Sequence, residues 1–160
     1  MSVLKPDRFY NLNEIRMKYE VEVDINLPRE KVIELFDNPD NLKYWQPGLI
    51  SFDHLSGEPG QVGAKSLLKY KMGMREVEMI ETITINNLPD EFSGTYEAKG
   101  VWNEVRNYFI AIDDSHTKWK SENEFKCNGM LKLMAFFMPG MFKKESCKYL
   151  NNFKEFAEST

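Results

Sequence analysis

The chain has 160 residues, of which 42% are hydrophobic and 29% charged, and its formal net charge is −4. This length and balance predict one soluble globular domain, and the acidic excess argues against a nucleic-acid-binding protein, which needs clustered Lys and Arg. No segment reaches the roughly 18 consecutive apolar residues of a membrane span, and the first residues lack the apolar core of a signal peptide. We therefore expect a cytoplasmic protein without a transmembrane segment.

The residue types that bind metals are few and widely spaced. Cys127 and Cys147 form no CxxC motif, and His54 and His116 form no HxxxH or HExxH motif. The sequence also lacks GxSxG, P-loop and GxGxxG motifs. We expect free thiols in a reducing compartment, no metal site and no cofactor.

The first predicted strand covers residues 17–25, where apolar and charged side chains alternate with the period of a half-buried strand. Pro28 then begins a helix whose predicted buried stripe is Val32, Ile33, Leu35 and Phe36. Residues 40–45 predict a second short helix before Pro47 and Gly48 end the unit.

The middle of the chain predicts a meander of short strands joined by short turns. Such strands form an antiparallel sheet with one polar face, and the other face needs a cover. The predicted strands cover residues 49–55, 64–72, 75–85, 92–98, 102–112 and 117–126.

The cover is predicted to be one long apolar helix over residues 129–158, broken once at Met138-Pro139-Gly140. Pro139 removes a backbone donor and kinks the helix. One half can then pack on the sheet while the other half stands away from it. This arrangement predicts a cavity between sheet and helix.

The order of elements resembles the START-like, or SRPBCC, superfamily, which includes Bet v 1-like and polyketide cyclase/dehydrase-like proteins. The segments that carry the resemblance are residues 28–36, 40–45, 87–92, the loop before Thr117, and 138–142 leading into 150–154. The resemblance covers roughly residues 15–158, and no single motif in it is specific for function.

The resemblance implies an α+β helix-grip fold. A curved antiparallel sheet of about seven strands would wrap on the long C-terminal helix, with two short helices after the first strand. It implies a single domain over 1–160, with a core at 16–158 and residues 1–15 as an N-terminal extension. Members bind lipids, sterols, quinones or polyketide-like compounds between sheet and helix, and some catalyse cyclisation.

Polar residues on predicted inner faces are the clearest candidates for a site, because burying them without a partner costs free energy. Glu81 interrupts an apolar row, and Ser121 and Asn123 lie between Trp119 and Phe125. A patch of such groups in an aromatic pocket would orient the head group of a ligand.

The strand at 102–112 adds Glu104 and Arg106 to this patch. The Arg106 guanidinium would donate hydrogen bonds to a ligand carboxylate or carbonyl. Its orientation stays open, because Val105 and Phe109 fall on the opposite face from Trp102. The alternatives are a mutually satisfied Glu–Arg pair or groups that lie in solvent.

Aromatic and methionine side chains are the candidates for the cavity wall and its entrance, with core packing as the alternative for each. The predicted wall comprises Tyr70, Met79, Tyr96, Trp102, Tyr108 and Trp119. The predicted lid or entrance comprises Phe137, Met138, Met141 and Phe142.

Three functions fit this pattern, and the first is favoured: a non-enzymatic protein that binds a hydrophobic small molecule. The second is a cyclase-, aromatase- or dehydrase-like enzyme acting on a polyketide-type substrate, with Glu81 as a weak candidate for a general base. The third is a protein or membrane interaction module that uses an apolar patch at 136–142 beside Lys143 and Lys144. Transient membrane contact belongs to this third alternative, and a monomer or a homodimer is expected in each case.

Overall fold

The computed structural model describes residues 7–10 and 13–160. The strands are β1 (Asp7–Tyr10), β2 (Ile15–Ile25), β3 (Leu49–Ser56), β4 (Lys65–Met72), β5 (Arg75–Asn87), β6 (Glu91–Ala98), β7 (Val101–Asp113) and β8 (His116–Cys127). The helices are α1 (Arg29–Phe36), α2 (Leu42–Trp45), α3 (Gly129–Phe137) and α4 (Gly140–Glu158), with a 3₁₀ turn at Pro39–Asn41.

All the strands pair antiparallel in one curved sheet of order β1-β2-β8-β7-β6-β5-β4-β3. The seven strands from β2 to β8 correspond to those predicted, and α1 and α2 follow β2 as expected. The eighth strand, β1, pairs with β2 at the sheet edge, inside the segment predicted to be an extension. The predicted α+β helix-grip architecture is confirmed.

The alternation in the first predicted strand places β2 in the sheet. Its apolar residues from Ile15 to Val21 are buried and the intervening charged ones are exposed. β2 pairs with β8 along its whole length, from Ile15 opposite Cys127 to Ile25 opposite Thr117. A slip of one residue would turn the apolar side of β2 into solvent, so the pattern determines this register.

The long C-terminal helix is interrupted where predicted: α3 ends at Phe137 and α4 begins at Gly140, with Pro139 between them. The second half of α4 packs on the core through the buried residues Leu150, Phe153 and Ala157. The Phe153 ring lies 5.2 Å from the rings of both Trp45 and Trp119. The first half of α4 instead borders a cavity.

Within the part of the chain that the structure describes, no helix is long and apolar enough to cross a membrane.

Candidate ligand-binding cavity

The space between the sheet and the first half of α4 is a cavity of about 880 Å³. Phe36 and Trp45 from the α1–α2 region, Leu68 from the sheet and Met141 from α4 contribute to its largely apolar wall. Pockets for small ligands commonly have volumes of about 300–1,000 Å³, so this cavity is large enough for a multi-ring or long-chain molecule.

A row of polar side chains crosses the sheet side of the cavity. The strand register places Ser66 opposite Glu81, Glu81 opposite Tyr96, and Tyr96 opposite Asn103. Directly opposed residues of antiparallel strands share a face, and all four of these residues line the cavity. The sheet therefore presents a polar strip to an otherwise apolar space.

Glu81 is the charged member of this strip. Burial raises the pKa of its carboxyl group, and a hydrogen bond from the Tyr96 hydroxyl, 2.7 Å from Oε2, opposes that rise. Burial and the neighbouring Glu81 hold the pKa of Tyr96 well above its usual range. Among the described residues, only Tyr96 bonds to the Glu81 carboxyl group, which can therefore accept a further bond from a ligand.

A second tyrosine, Tyr70, lies near Glu81. The Tyr70 hydroxyl donates a hydrogen bond to Gln46 Oε1. Burial raises the pKa of Tyr70, and the nearby Tyr149 and Glu81 raise it further. Tyr149 belongs to α4, so a phenol group from the helix lies near the phenol group of Tyr70 on the sheet.

Four polar residues of β7 and β8 that line the cavity are hydrogen-bonded to each other in two pairs. The Trp119 indole donates to Asn107 Oδ1 at 2.9 Å, and Asn123 Nδ2 donates to Ser121 Oγ at 3.1 Å. Because these bonds already pair the indole N–H and one Asn123 N–H, this part of the wall is held rigid.

Tyr19 of β2 ties the first half of α4 to the sheet. Its hydroxyl donates to the backbone carbonyl of Phe142 at 3.0 Å and lies 2.8 Å from Ser146 Oγ. These two bonds fix how far the helix stands from the sheet next to the cavity. Sequence periodicity could not predict that distance, because it depends on one tertiary hydrogen-bonding group.

The charged groups of the lining are of one sign. Asp37, Glu81 and Glu145 line the cavity together with His54, and no Lys or Arg is among the described residues of the lining. Within residues 7–10 and 13–160, no group of three or more His, Cys, Asp or Glu side chains is arranged to hold a metal ion. The cavity is thus rich in hydrogen-bond acceptors and lacks a cationic partner for a ligand anion.

Nine of the residues predicted for the site lie in the cavity wall, where their part in binding remains a prediction. They are Tyr70, Met79, Glu81, Tyr96, Trp119, Ser121, Asn123, Met141 and Phe142.

The predicted face of β7 was wrong, because Trp102, Glu104, Arg106 and Tyr108 are outside the cavity lining. The Arg106 side chain is 46% exposed, with Nε 3.9 Å from Glu104 Oε1. Lys126 Nζ lies over the Trp102 ring, 3.9 Å from the ring centroid.

The opposite face of β7 supplies Asn103, Val105 and Asn107 to the cavity. Aromatic residues occur on both faces of this strand, so hydrophobicity alone does not orient it. The available signal was the pairing of Phe109 with Trp119, since directly opposed residues share a face.

The predicted entrance residues Phe137 and Met138 are also outside the lining, and both are exposed. Met134 and Leu131, about one and two turns before Phe137, line the cavity instead. The reason is that α3 ends at Phe137, so the apolar stripe does not continue on the same side through Pro139. Ser66, Asn103 and Tyr149 were also missed, although alternation had already put Ser66 on the face of Leu68 and Tyr70.

Comparisons with protein-family models and with curated proteins gave no match. Solved structures match over nearly the whole chain at low sequence identity. Ara h 8.0201 is 14% identical with a TM-score of 0.73, and the match covers 91% of this chain and 99% of that one.

Two enzymes are among the similar structures. The Zhui aromatase/cyclase from Streptomyces sp. R1128 is 12% identical with a TM-score of 0.74, covering 89% of this chain and 94% of the enzyme. Norcoclaurine synthase from Thalictrum flavum, in complex with dopamine and hydroxybenzaldehyde, is 10% identical with a TM-score of 0.69, covering 92% and 90%. The fold of this chain is therefore the helix-grip fold of the Bet v 1-like and polyketide cyclase-like proteins, the START-like fold that its sequence predicted.

Proposed function

We propose that this protein binds one apolar small molecule in the cavity between the sheet and α4. A hydroxyl or amine group of the ligand donates a hydrogen bond to the Glu81 carboxyl group. The observation that carries the proposal is a cavity of about 880 Å³ whose polar strip contains a buried acceptor with one protein partner. A buried polar group with spare capacity favours a ligand that completes its hydrogen bonds.

The sign of the charged groups limits the chemistry of the ligand. A free carboxylate placed in this cavity would lie among Asp37, Glu81 and Glu145 without a countercharge. Arg106, the predicted partner of such a group, is on the other face of the sheet. A sterol-like or hydroxylated polyketide-like molecule fits better than a fatty acid.

The test compares ligands that differ only in the head group. Bound 1-aminoanthracene, a fluorescent apolar amine, is displaced with dodecanol, dodecylamine and dodecanoate. We expect the alcohol and the amine to displace the probe at concentrations at least about tenfold lower than dodecanoate, since one charge-assisted hydrogen bond contributes about 1.5–3 kcal/mol. Absence of probe binding, or preference for dodecanoate, would contradict the proposal.

Variants at Glu81 identify the anchoring group. Glu81→Met keeps the length of the side chain and removes the acceptor. It should therefore weaken the binding of dodecanol and dodecylamine, and leave the binding of dodecanoate unchanged or make it tighter. Glu78→Met is the matched control, because Glu78 is on the same strand with its side chain 62% exposed. Equal effects of the two substitutions would remove Glu81 from the site.

One observation favours a second function, catalysis on the bound molecule. Glu81 combines burial, a raised carboxyl pKa and a phenol partner, a combination that general acid–base catalysts use. Candidate polyketide-type substrates would be incubated with wild type and with Glu81→Gln. Turnover lost in Glu81→Gln with binding retained would favour an enzyme, and binding without conversion would favour a carrier.

A further inference from the structure

The outer face of α3 is apolar and exposed to an unusual degree. Phe137 is 73% and Met130 81% exposed, and the rings of Phe136 and Phe137 lie 5.1 Å apart. The exposed apolar residues of this helix and its end, here called the α3 face, are Met130, Leu133, Met134, Phe136, Phe137 and Met138. A contiguous apolar patch on one helix is a feature of interaction sites.

The α3 face differs from the patch predicted at 136–142. Met141 and Phe142 line the cavity, and the Phe142 ring packs 5.0 Å from the Phe125 ring. The exposed patch instead extends back to the start of α3. The opposite side of α3 contacts the protein through buried Ala135.

The segment that contains the α3 face is basic, although the whole chain has a net charge of −4. From residue 125 to residue 144 the sequence has Lys126, Lys132, Lys143 and Lys144 and no acidic residue. An apolar helix with a basic border fits an anionic lipid surface, which attracts the lysines and takes up the apolar side chains. Two copies of this surface placed face to face would bring like charges together, which disfavours a symmetric dimer.

The end of the sheet beside α3 also has an exposed apolar side chain in the β4–β5 turn, and the cavity extends to this end. The antiparallel order brings the β4–β5 turn to the end of the sheet where α3 begins. Met74 in that turn is fully exposed, with Lys71 and Arg75 nearby in sequence. Met72 and Met134 line the cavity from the turn and from α3, so the cavity reaches this surface.

We propose that the α3 face and the β4–β5 turn dock this protein on membranes that contain anionic lipid. Docking places the end of the cavity against the bilayer, from which an apolar ligand can enter. The entry step rests on the proposed function, whereas docking itself does not.

The test measures co-sedimentation of the ligand-free protein with phosphatidylcholine vesicles, with and without phosphatidylserine. We expect binding only with phosphatidylserine, and weaker binding as salt rises from about 0.1 to 0.5 M, because salt screens the attraction. Phe137→Asp should lower the partition coefficient at least about tenfold. Ile112→Asp is the matched control, since Ile112 is 51% exposed on β7 at the opposite end of the sheet.

Each other outcome overturns the docking proposal. These outcomes are no sedimentation of wild type, equal binding without phosphatidylserine, or equal losses in Phe137→Asp and Ile112→Asp. A lipid-free dimer in analytical ultracentrifugation that Phe137→Asp dissociates would assign the α3 face to a second copy instead. Displacement of 1-aminoanthracene by dodecanol without vesicles tests the proposed function separately, so failure of docking leaves that result unchanged.

Discussion

The hydroxyl of Tyr96 lies 2.7 Å from Oε2 of Glu81, and the two residues are directly opposed on β6 and β5. This pair lies in the polar strip of the cavity, between Ser66 and Asn103. Burial and the hydrogen bond act on the Glu81 pKa in opposite directions. The protonation state of the Glu81 carboxyl group therefore depends on its burial and on one tyrosine.

Removing the phenol should raise the pKa of Glu81. Tyr96→Phe deletes the donor that favours the carboxylate and leaves the burial that disfavours it. The measurement is a pH titration of the Glu81 side-chain carbon by NMR. Tyr108→Phe is the control, because Tyr108 is outside the cavity lining and should leave the titration unchanged. A pKa that falls in Tyr96→Phe would mean that the phenol stabilises the protonated acid.

Glu81 should also make folding stability depend on pH in a particular direction. Its pKa in the folded protein is above its ordinary value of 4.5, so its contribution is fully present below that value and is lost as pH rises through the folded pKa. Glu81→Gln cannot ionise. We therefore expect wild type and variant to differ least at low pH, and the variant to become relatively more stable as pH rises.

Urea unfolding of both proteins across this range measures the difference in unfolding free energy. Glu76→Gln, at an exposed position of the same strand, is the control for the loss of a surface carboxyl group. A wild type that gains stability relative to Glu81→Gln as pH rises would show that the folded protein favours the carboxylate.

Most of the fold could be predicted because strong periodic signals coincide with the elements. The alternation of β2, the Pro28 helix start and the break at Pro139 each have a local physical cause in the sequence. Glu81 was found for the same reason, since a carboxyl group in an apolar row is anomalous.

Periodicity within one segment could not predict the orientation of β7 or the width of the cavity, because each depends on contacts between segments. The choice of face for β7 depends on Phe109 packing beside Trp119, with ring centroids 5.8 Å apart, and not on the strand itself. Beside the cavity, Tyr19 bonds to α4 at Phe142 and Ser146, across 123 and 127 residues of sequence. No periodicity within one segment contains either relationship.

The buried bond from Trp119 to Asn107 should be important for stability. The two residues are only 3% and 6% exposed, so Asn107→Ala leaves a buried indole N–H without its acceptor. We expect a loss of about 1–3 kcal/mol in the free energy of unfolding.

A double-mutant cycle with Trp119→Phe separates this bond from general packing effects. If the bond is responsible, Asn107→Ala costs less in the Trp119→Phe background than in wild type. Equal costs in the two backgrounds would assign the loss to the cavity left by the asparagine side chain. Urea unfolding of the four proteins provides the measurement.

An alanine should lower the free energy of unfolding more at Gly48 than at Gly60, although the two glycines have nearly the same backbone conformation. Gly48 and Gly60 have φ of 78° and 77°, a region that disfavours a Cβ by about 1–2 kcal/mol. At Gly60 an added Cβ meets nothing within 4 Å, whereas at Gly48 it overlaps the carbonyl oxygen of Lys71. Lys71 N also donates to the Gly48 carbonyl at 2.8 Å, which holds the two backbones together. Gly48→Ala should therefore lower the free energy of unfolding by about 1–3 kcal/mol more than Gly60→Ala, as measured by urea unfolding. Equal losses would mean that the chain before β3 shifts away from Lys71 at little cost.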